Sequence, residues 1–471
     1  MTYYFIGIGG IGMSALARYL HSQGHRVSGY DSTETTLTRQ LISEGIDVQY
    51  IDNPLLMPPS IDTAVYTPAV PPSTAIFQAA AQGGYPLVKR AQLLAQLTSG
   101  AKCIAIAGTH GKTTTSTLIA HLLHSAGIPC SALLGGISKN FQSNCLYNKK
   151  PQYIVVEADE YDRSFLQLHP HHSVITSTDP DHLDIYHTHQ ALIQAFQQYA
   201  NQTSPDGLLL YKQGIGLDPD AEEHHHHEHD ENHEDHHDHH QCGLELNPSL
   251  NTLSYTSTGI EADYYPWNLR NYGGNLYFDL RTPNGVLYDL QLTGAPLYNV
   301  ENAVAASAIA LSCGISEYQL RNGLKTFAGI QRRFDYHLKT PNLILIDDYA
   351  HHPREIEALI SSVRYLYPEK RVVGVFQPHL YSRTRDLAPQ FAQALSALDE
   401  TILLPIYPAR EQPIPGVSSA LILRNMKSMN RYLSTPADMP TLLQALCPDI
   451  ILTIGAAPVD QLIPDILKTL A

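Results

Sequence analysis

The sequence predicts an α/β protein of three domains, each built around an open parallel sheet. Its 471 residues correspond to about three domains of ~150 residues. Two glycine-rich loops each stand between an apolar run and a helix-compatible stretch, and the last third of the chain alternates apolar runs with helical stretches. Such alternation is typical of parallel sheets that are covered by helices.

The composition is that of an enzyme with large apolar cores, since 43% of the residues are hydrophobic and 16% are charged. No run rich in Lys and Arg marks a nucleic-acid surface. No apolar run reaches the ~18 residues of a membrane span. The six cysteines form no C-x-x-C pair, and MTYYFIGIGG has no basic region of a signal peptide. We therefore expect a cytoplasmic chain with reduced thiols; its oligomeric state stays open.

The net charge of −15 is concentrated in one low-complexity tract. Residues 218–240 hold ten Asp or Glu and no Lys or Arg, so the remainder of the chain carries −5. Ten histidines lie in the same tract, which predicts a loop insertion over 218–241. It could chelate Zn²⁺ or Ni²⁺ weakly, but we favour a tolerated surface insertion without a catalytic role.

The first domain, predicted over 1–98, opens with a strand at 3–8 and a helix at 11–22. The loop between them contains Gly7, Gly9, Gly10 and Gly12. A second strand ends at Asp31, which puts an acidic residue ~20 positions after the loop. This is a dinucleotide-type opening and predicts a nucleotide diphosphate on the glycine loop. The alternative is that the glycines only permit a close contact between helix and strand.

The central domain, predicted over 99–325, begins with a second phosphate-binding loop between a strand at 103–107 and a helix at 116–126. The loop residues are Gly108, Thr109, His110, Gly111, Lys112, Thr113 and Thr114. Glycines let backbone N–H groups surround a phosphate, Lys112 can reach the β- and γ-phosphates, and the Thr113 hydroxyl can bind Mg²⁺. Ile106 stands where the strict motif has its first glycine.

Two acid-rich strings follow predicted strands at 153–156 and 173–176, whose carboxyl ends should face the phosphate loop. Glu157 is a candidate Mg²⁺ ligand opposite Thr113. His182 lies among several aspartates and is a candidate for a second metal ion or a substrate oxygen, the alternative being a structural histidine. Asp159, Glu160 and Asp162 are interpreted as a solvated acidic turn without individual roles.

The rest of the chain predicts a β-meander over 250–295, a helix over 299–311 and a third domain over 326–471. In that domain strands are predicted at 343–346, 372–376, 401–404 and 450–454, with helices at 354–365, 386–398 and 438–446. Polar strings at 332–335, 347–353 and 377–385 gather at strand ends, and their guanidinium groups suit carboxylates and phosphates.

Eight strings resemble those of the Mur ligase family, in family order and over nearly the whole chain. They are GIGGIGMSALA (7–17), GTHGKTTT (108–115), EADEYDRSFL (157–166), DHLDIY (181–186), YNVENAVAA (298–306), RRFDY (332–336), IDDYAHHP (346–353) and QPHLYSRTRD (377–386). The resemblance implies a Rossmann-like N-terminal domain that binds a UDP-sugar, a central P-loop ATPase-type domain and a Rossmann-like C-terminal domain that closes over the site.

The resemblance also implies a reaction: ATP phosphorylates the lactyl carboxylate of UDP-N-acetylmuramate, and L-alanine then attacks the acyl phosphate. Catalytic roles fall to Lys112, His182, Arg332, His351 and Arg383. ATP would be bound by 108–114 with Asn299, Asn302 and Asp348, and the other substrates by Gly7, Gly9, Gly10, Gly12, Asp31, Tyr349 and Arg383. Two Mg²⁺ ions would use Thr113, Glu157 and His182.

Two positions depart from the family pattern. Tyr298 stands where many relatives have His before Asn299, and Leu380 stands where relatives often have Arg. A histidine contact to adenine and one guanidinium contact to substrate are therefore absent or supplied elsewhere.

Three other functions stay open at this point. A recycling ligase of the same family would attach a tripeptide to the same UDP-sugar. An NAD-dependent oxidoreductase would use the first glycine loop but leaves the second loop without a task. A metal-storage protein would use the His-rich tract.

Overall fold

The computed structural model describes residues 1–180, 183–216, 243–257, 262–409, 411–456 and 458–470. The His-rich tract, together with Asp181 and His182, lies outside the described residues. Among the helices described, none is both long and apolar enough to cross a bilayer.

The N-terminal sheet has five strands, all parallel to their neighbours. They are β1 (Thr2–Ile6), β2 (Arg26–Tyr30), β3 (Asp47–Gln49), β4 (Thr63–Tyr66) and β5 (Leu87–Lys89), in the order β3-β2-β1-β4-β5. The helices between them are α1 (Ile11–Ser22), α2 (Thr36–Ser43), α3 (Ala75–Gln82) and α4 (Arg90–Thr98). The predicted glycine loop therefore joins the central strand β1 to α1.

The second sheet has seven strands, parallel except for the pair β7–β8. They are β6 (Lys102–Ala107), β7 (Cys130–Ser138), β8 (Ser143–Leu146), β9 (Tyr153–Glu157), β10 (His172–Ile175), β11 (Leu208–Lys212) and β12 (Thr252–Tyr255), in the order β12-β11-β10-β6-β9-β7-β8. The helices are α5 (Lys112–Ser125), α6 (Leu183–Tyr186), α7 (His189–Ala200), α8 (Asn299–Ser312) and α9 (Glu317–Thr326). Strand β6 lies between β9 and β10, so Glu157 at the end of β9 and Asp179 after β10 flank the phosphate loop as predicted.

A smaller sheet contains β13 (Tyr265–Tyr272), β14 (Asn275–Thr282) and β15 (Gly285–Thr293) in that order. Its two turns fall at 272–275 and 283–285, where the sequence contains Gly273, Gly274 and Gly285. The predicted meander over 250–295 was too long, because β12 instead pairs with β11 in the second sheet.

The C-terminal sheet has six strands, of which only β16 is antiparallel to its neighbour. They are β16 (Asp335–Lys339), β17 (Ile344–Asp348), β18 (Val372–Phe376), β19 (Glu400–Leu403), β20 (Arg431–Leu433) and β21 (Ile450–Ile454), in the order β16-β17-β21-β18-β19-β20. The helices are α10 (Pro353–Leu366), α11 (Tyr381–Leu395), α12 (Ser419–Asn425), α13 (Met439–Leu446) and α14 (Ile463–Leu470). Central strands such as β18 are buried along their whole length, which explains their unbroken apolar sequences.

These elements form two compact units. The first comprises 1–269, 278–291 and 301–327, and the second comprises 270–277, 292–300 and 328–471. The predicted first and central domains thus share a unit, and the boundaries 1–98, 99–325 and 326–471 stay predictions. Within the first unit, one continuous apolar core includes Phe5 of β1 and Ala105 of β6.

Candidate active site

The phosphate loop at 108–111 has a backbone that requires its glycines. Gly108 and Gly111 have φ angles of +132° and +83°, which side chains with a Cβ rarely adopt. A Cβ on Gly108 would lie 2.8 Å from the backbone nitrogen of Ser177, and one on Gly111 would lie 2.7 Å from Asn302 Oδ1. Helix α5 begins at Lys112 rather than at the predicted Ser116, so the helix N-terminus directly adjoins the loop.

The loop is tied to the segment that follows β10. The hydroxyls of Thr109 and Ser177 lie 2.9 Å apart, and the backbone N–H of His110 donates to the same Ser177 hydroxyl at 2.9 Å. The His110 imidazole lies 3.8 Å from the Asp179 carboxylate. Thr114, in the first turn of α5, is half-buried. These contacts fix the loop backbone through the end of the neighbouring strand.

A hydroxyl and a carboxylate face each other beside the loop. The Thr113 hydroxyl donates to Glu157 Oε2 at 3.2 Å, and the backbone N–H of Gly135 donates to Glu157 Oε1 at 2.6 Å. Burial raises the pKa of the Glu157 carboxyl, although the Gly135 N–H and the Lys112 charge oppose the rise. Two hard oxygen donors at a strand end fit the chemistry of a Mg²⁺ site.

The second predicted metal ligand, His182, lies outside the described residues. Within the part of the chain that is described, no cluster of three or more His, Cys, Asp or Glu side chains could hold a metal ion. The structure therefore brings together Thr113 and Glu157 only.

The acidic turn at 159–162 is not simply solvated, and the interpretation of Glu160 was wrong. Glu160 is 1% exposed and its carboxylate binds the Lys112 ammonium at 2.8 Å. Asp159 accepts from Arg90 at 2.8 Å, and Asp162 accepts from Lys89 at 3.2 Å. All three partners are cations far away in sequence, which is why the string alone suggested a free acidic surface.

The first glycine loop is held by Asp31. The backbone N–H of Gly9 donates to Asp31 Oδ2 at 2.8 Å, while Gly7 N–H donates to the Tyr30 carbonyl at 2.8 Å. Gly10 caps α1 without a side-chain hydrogen bond, which leaves that helix N-terminus to a ligand or water. A Cβ on Gly12 would lie 2.7 Å from Arg90 Nη1. Because the same guanidinium donates to Asp159, it lies between this loop and the acidic turn.

In the second unit, Arg332 is fixed by three oxygen atoms. Its Nε donates to Asp347 at 3.2 Å, its Nη2 donates to the Gly455 carbonyl at 2.7 Å, and its Nη1 lies 3.4 Å from Asp460. The guanidinium also lies over the Tyr349 ring, 5.2 Å from its centroid. Arg332 and Tyr349, to which the family resemblance assigns different roles, are thus neighbours in space.

Asp348 is the last residue of β17 and is buried, and His351, three residues later, is half-buried. Asp348 accepts from the backbone N–H groups of Phe334 at 2.7 Å and Ala350 at 2.8 Å, and burial raises its pKa to about 6. His351 Nδ1 lies 3.0 Å from the Tyr349 carbonyl, and burial lowers the pKa of its imidazole.

Arg383 lies in the first turn of α11 in the same unit, half-buried. Burial is the largest cause of the lowered pKa of His379, and the positive charge of Arg383 is the next. The Arg383 charge also lowers the pKa of His351. Leu380, immediately before the helix, has a φ of +71°. Such backbone is costly for a leucine and is typical of functional segments.

The two asparagines of α8 fall in different units. Asn302 accepts from the Thr115 hydroxyl at 3.2 Å and lies against Gly111 of the phosphate loop. Asn299 is the first residue of α8 and belongs to the second unit, where its N–H donates to the Pro296 carbonyl at 3.0 Å. Contact with the loop is therefore described only for Asn302.

Models of one protein family match three successive segments of the chain. The model of the Mur ligase family catalytic domain matches residues 2–102, that of the Mur ligase middle domain matches 106–310, and that of the Mur ligase glutamate ligase domain matches 332–457. The UDP-N-acetylmuramate–L-alanine ligases of Parabacteroides distasonis and Porphyromonas gingivalis are each 44% identical to the chain. The match to the first relative covers 99% of this chain and 96% of that protein. The match to the second covers 98% of this chain and 97% of that protein.

The chain belongs to the Mur ligase family.

Solved structures of Mur ligases share the fold. The UDP-N-acetylmuramate–alanine ligase of Thermotoga maritima matches with a TM-score of 0.82 at 24% identity, covering 99% of this chain and 98% of that one. A murein peptide ligase from Psychrobacter arcticus matches with a TM-score of 0.68 at 20% identity, covering 100% and 98%. The predicted three-domain α/β class and the family resemblance are confirmed.

Sequence reasoning on this Mur ligase missed the residues that support its site. Glu160 binds the Lys112 ammonium, and Asp347 binds the Arg332 guanidinium. Arg90 binds Asp159 of the acidic turn. His379 was also missed: its ring stacks on Tyr407, and its Nδ1 is buried without a partner among the described residues. The sequence signals were weak: Glu160 lies in the acid string with Glu157, while Asp347 and His379 lie in the polar strings at 347–353 and 377–385.

Proposed function

We propose that this chain joins L-alanine to the lactyl carboxylate of UDP-N-acetylmuramate, with cleavage of ATP to ADP and phosphate. One observation carries the proposal: relatives bearing this activity in their names are 40–44% identical over 98–99% of the chain. The phosphate loop and the facing Thr113–Glu157 pair supply the chemistry that an ATP-dependent ligase needs. An oxidoreductase would leave that second loop without a task.

The reaction has two steps that each conserve atoms and charge. The lactyl carboxylate attacks the γ-phosphorus of ATP, so that the bond to the β-phosphate oxygen breaks and ADP leaves. The amine of L-alanine then attacks the acyl carbon, the bond to the phosphate oxygen breaks, and the amine gives up a proton. Phosphoryl transfer of this kind depends mainly on positioning and charge neutralisation.

The first unit supplies the residues for nucleotide binding. We propose that residues 108–114 and Asn302 bind ATP, with Lys112 neutralising charge on the β- and γ-phosphates. Thr113 and Glu157 would hold Mg²⁺, which would add positive charge at the triphosphate, and His182 would serve a second ion. Gly7, Gly9, Gly10, Gly12 and Asp31 would bind the UDP-sugar, through the uncapped N-terminus of α1.

The second unit supplies the residues for the incoming amino acid. Arg332 is held rigidly by carboxylate and carbonyl oxygens, so its orientation is set before substrate arrives. We propose that Arg332 and Arg383 act on phosphate and carboxylate oxygens, with Tyr349 and His351 beside the amino acid, and Asn299 and Asp348 near the nucleotide. We also propose a cytoplasmic location, where ATP and UDP-linked precursors are present.

A phosphate-release assay on the purified full chain tests the proposal. The assay combines ATP, Mg²⁺ and UDP-N-acetylmuramate with each amino acid in turn and with the stem tripeptide, and mass spectrometry identifies the product. We expect release to depend on L-alanine and the product to gain one alanine. Dependence on the tripeptide alone would instead identify a recycling ligase.

A further inference from the structure

The ammonium of Lys112 is fully engaged by protein oxygens. Its Nζ donates to the Gly108 carbonyl at 2.6 Å and lies 2.9 Å and 2.8 Å from the two carboxylate oxygens of Glu160. The Lys112 side chain is 17% exposed and that of Glu160 only 1%. The pair is therefore an enclosed ion pair and not a surface contact.

The acidic turn holds Glu160 in this position. The hydroxyl of Tyr186, itself 1% exposed, donates to the Glu160 carbonyl at 2.6 Å. The backbone N–H of Phe165 donates to the Asp159 carbonyl at 2.9 Å, which closes the turn on its other side. These bonds hold the backbone of the turn in place, and from it the buried Glu160 carboxylate contacts the Lys112 ammonium.

This arrangement conflicts with a bound triphosphate. An ammonium has three protons, and here one is taken by a loop carbonyl and the rest face a single carboxylate. Phosphate oxygens that enter the loop need the same protons. A buried carboxylate next to them would also repel their negative charge.

We propose that Glu160 is a positioning residue for Lys112. The Glu160 carboxylate holds the ammonium over the phosphate loop, and phosphate oxygens replace this carboxylate when ATP binds. The inference rests on the proposed function only in taking ATP as the ligand of this loop. ATP binding is then an exchange of ion pairs. The lysine is aligned before the nucleotide arrives, at the expense of some nucleotide affinity.

The exchange predicts that loss of the Glu160 charge changes nucleotide binding and leaves turnover of the bound complex nearly unchanged. In the Glu160→Gln variant an amide of the same size can still accept a hydrogen bond from Lys112, but the competing charge is gone. Nucleotides with a γ-phosphate should bind more tightly, while kcat at saturating ATP should change little, because Lys112 has by then exchanged Glu160 for phosphate oxygens. A role limited to stability would weaken nucleotide binding or leave it unchanged.

Calorimetry with the non-hydrolysable analogue AMP-PNP and Mg²⁺ on the full chain measures the first effect. We expect Glu160→Gln to bind AMP-PNP at least about fivefold more tightly than the parent chain, with kcat for L-alanine ligation within about twofold of the parent value. Asp162→Asn is the matched control, since it removes a charge from the same turn at a residue with φ of +54° that asparagine tolerates. Its AMP-PNP affinity should stay within about twofold of the parent.

Weaker or unchanged AMP-PNP binding in Glu160→Gln would overturn the proposal, as would an equal gain in Asp162→Asn. If Glu160→Gln does not fold, Glu160→Asp keeps the charge but shortens its reach, and its affinity should again exceed that of the parent. Calorimetry needs no turnover, so a chain that fails to ligate L-alanine still tests the exchange. A failure of the proposed function is thereby distinguishable from a failure of this inference.

Discussion

The hydroxyl of Tyr298 donates a hydrogen bond of 3.3 Å to Oδ2 of Asp348. Tyr298 occupies a position at which the family pattern often has histidine, and the structure gives the tyrosine a buried polar partner. Burial and the nearby Asp348 charge raise the pKa of the Tyr298 hydroxyl well above its usual value, so it stays a donor at neutral pH. In this chain the tyrosine therefore provides a donor to the carboxylate at the end of β17.

Tyr298→Phe should destabilise the second unit. The substitution removes the hydroxyl while two backbone N–H groups still satisfy Asp348, so the loss is one hydrogen bond to a buried charged group, about 1–3 kcal/mol. Thermal unfolding followed by circular dichroism should show a lower midpoint. Tyr288→Phe, at a tyrosine that is 58% exposed, is the control and should leave the midpoint unchanged. Equal midpoints for all three proteins would contradict a stabilising role for the Tyr298 hydroxyl.

Lys112→Ala should nearly abolish ligation. The substitution removes the positive charge that we assign to the β- and γ-phosphates, and loss of one such electrostatic donor costs about 10²–10³ in kcat. The rate of L-alanine-dependent phosphate release measures the effect. Lys150→Ala, at an exposed lysine, is the matched control and should ligate at the parent rate. Turnover by Lys112→Ala within tenfold of that control would rule out the assigned role.

Glu157→Gln should raise the Mg²⁺ requirement. An amide keeps one oxygen near Thr113 but lacks the charge that a divalent cation prefers, so half-maximal turnover should need roughly tenfold more Mg²⁺. Titration of turnover with Mg²⁺, together with Mn²⁺ binding followed by electron paramagnetic resonance, checks this result. Removal of divalent cations with EDTA should stop ligation by both proteins. An unchanged Mn²⁺ affinity in Glu157→Gln would exclude Glu157 as a ligand.

Local patterns in the sequence predicted the elements that build the site. The glycine loop before α1, the phosphate loop before α5 and Glu157 at the end of β9 were all readable, because strand, loop and helix follow each other within a few residues. Family strings added Asp348 at the end of β17 and Tyr349 and His351 just after it. What these residues share is a position at the end of a strand, which a run of apolar residues marks clearly.

Contacts between distant segments could not be predicted in the same way. Lys112 and Glu160 are 48 positions apart, and Arg90 and Asp159 are 69 apart. The sequence of an acidic turn is the same whether its carboxylates face water or pair with a basic side chain. Only the packing of neighbouring strands decides which partner each carboxylate has. The strand β12 illustrates the same limit, since its pairing with β11 depends on sheet order and not on its own four residues.

His121 gives the fold a pH dependence that is separate from the proposed site. The ring is 6% exposed, with Nε2 3.1 Å from both the Gly323 carbonyl and the Thr326 hydroxyl, and burial lowers its pKa to about 4. An unfolded chain protonates this imidazole near pH 6.5. Below that pH the unfolded state binds a proton that the native state does not, so stability falls as the pH drops towards the folded pKa.

Replacing His121 should therefore flatten the stability profile. His121→Gln keeps a side-chain N–H for the Gly323 carbonyl and does not titrate, so it should lose about 2 kcal/mol less stability than the parent chain between pH 7 and pH 5. Urea unfolding at each pH, followed by circular dichroism, gives the free energies. His124→Gln, at an exposed imidazole one turn away, controls for the loss of a histidine on α5. Parallel pH profiles for His121→Gln and the parent would show that burial of this ring does not set the acid limit of the fold.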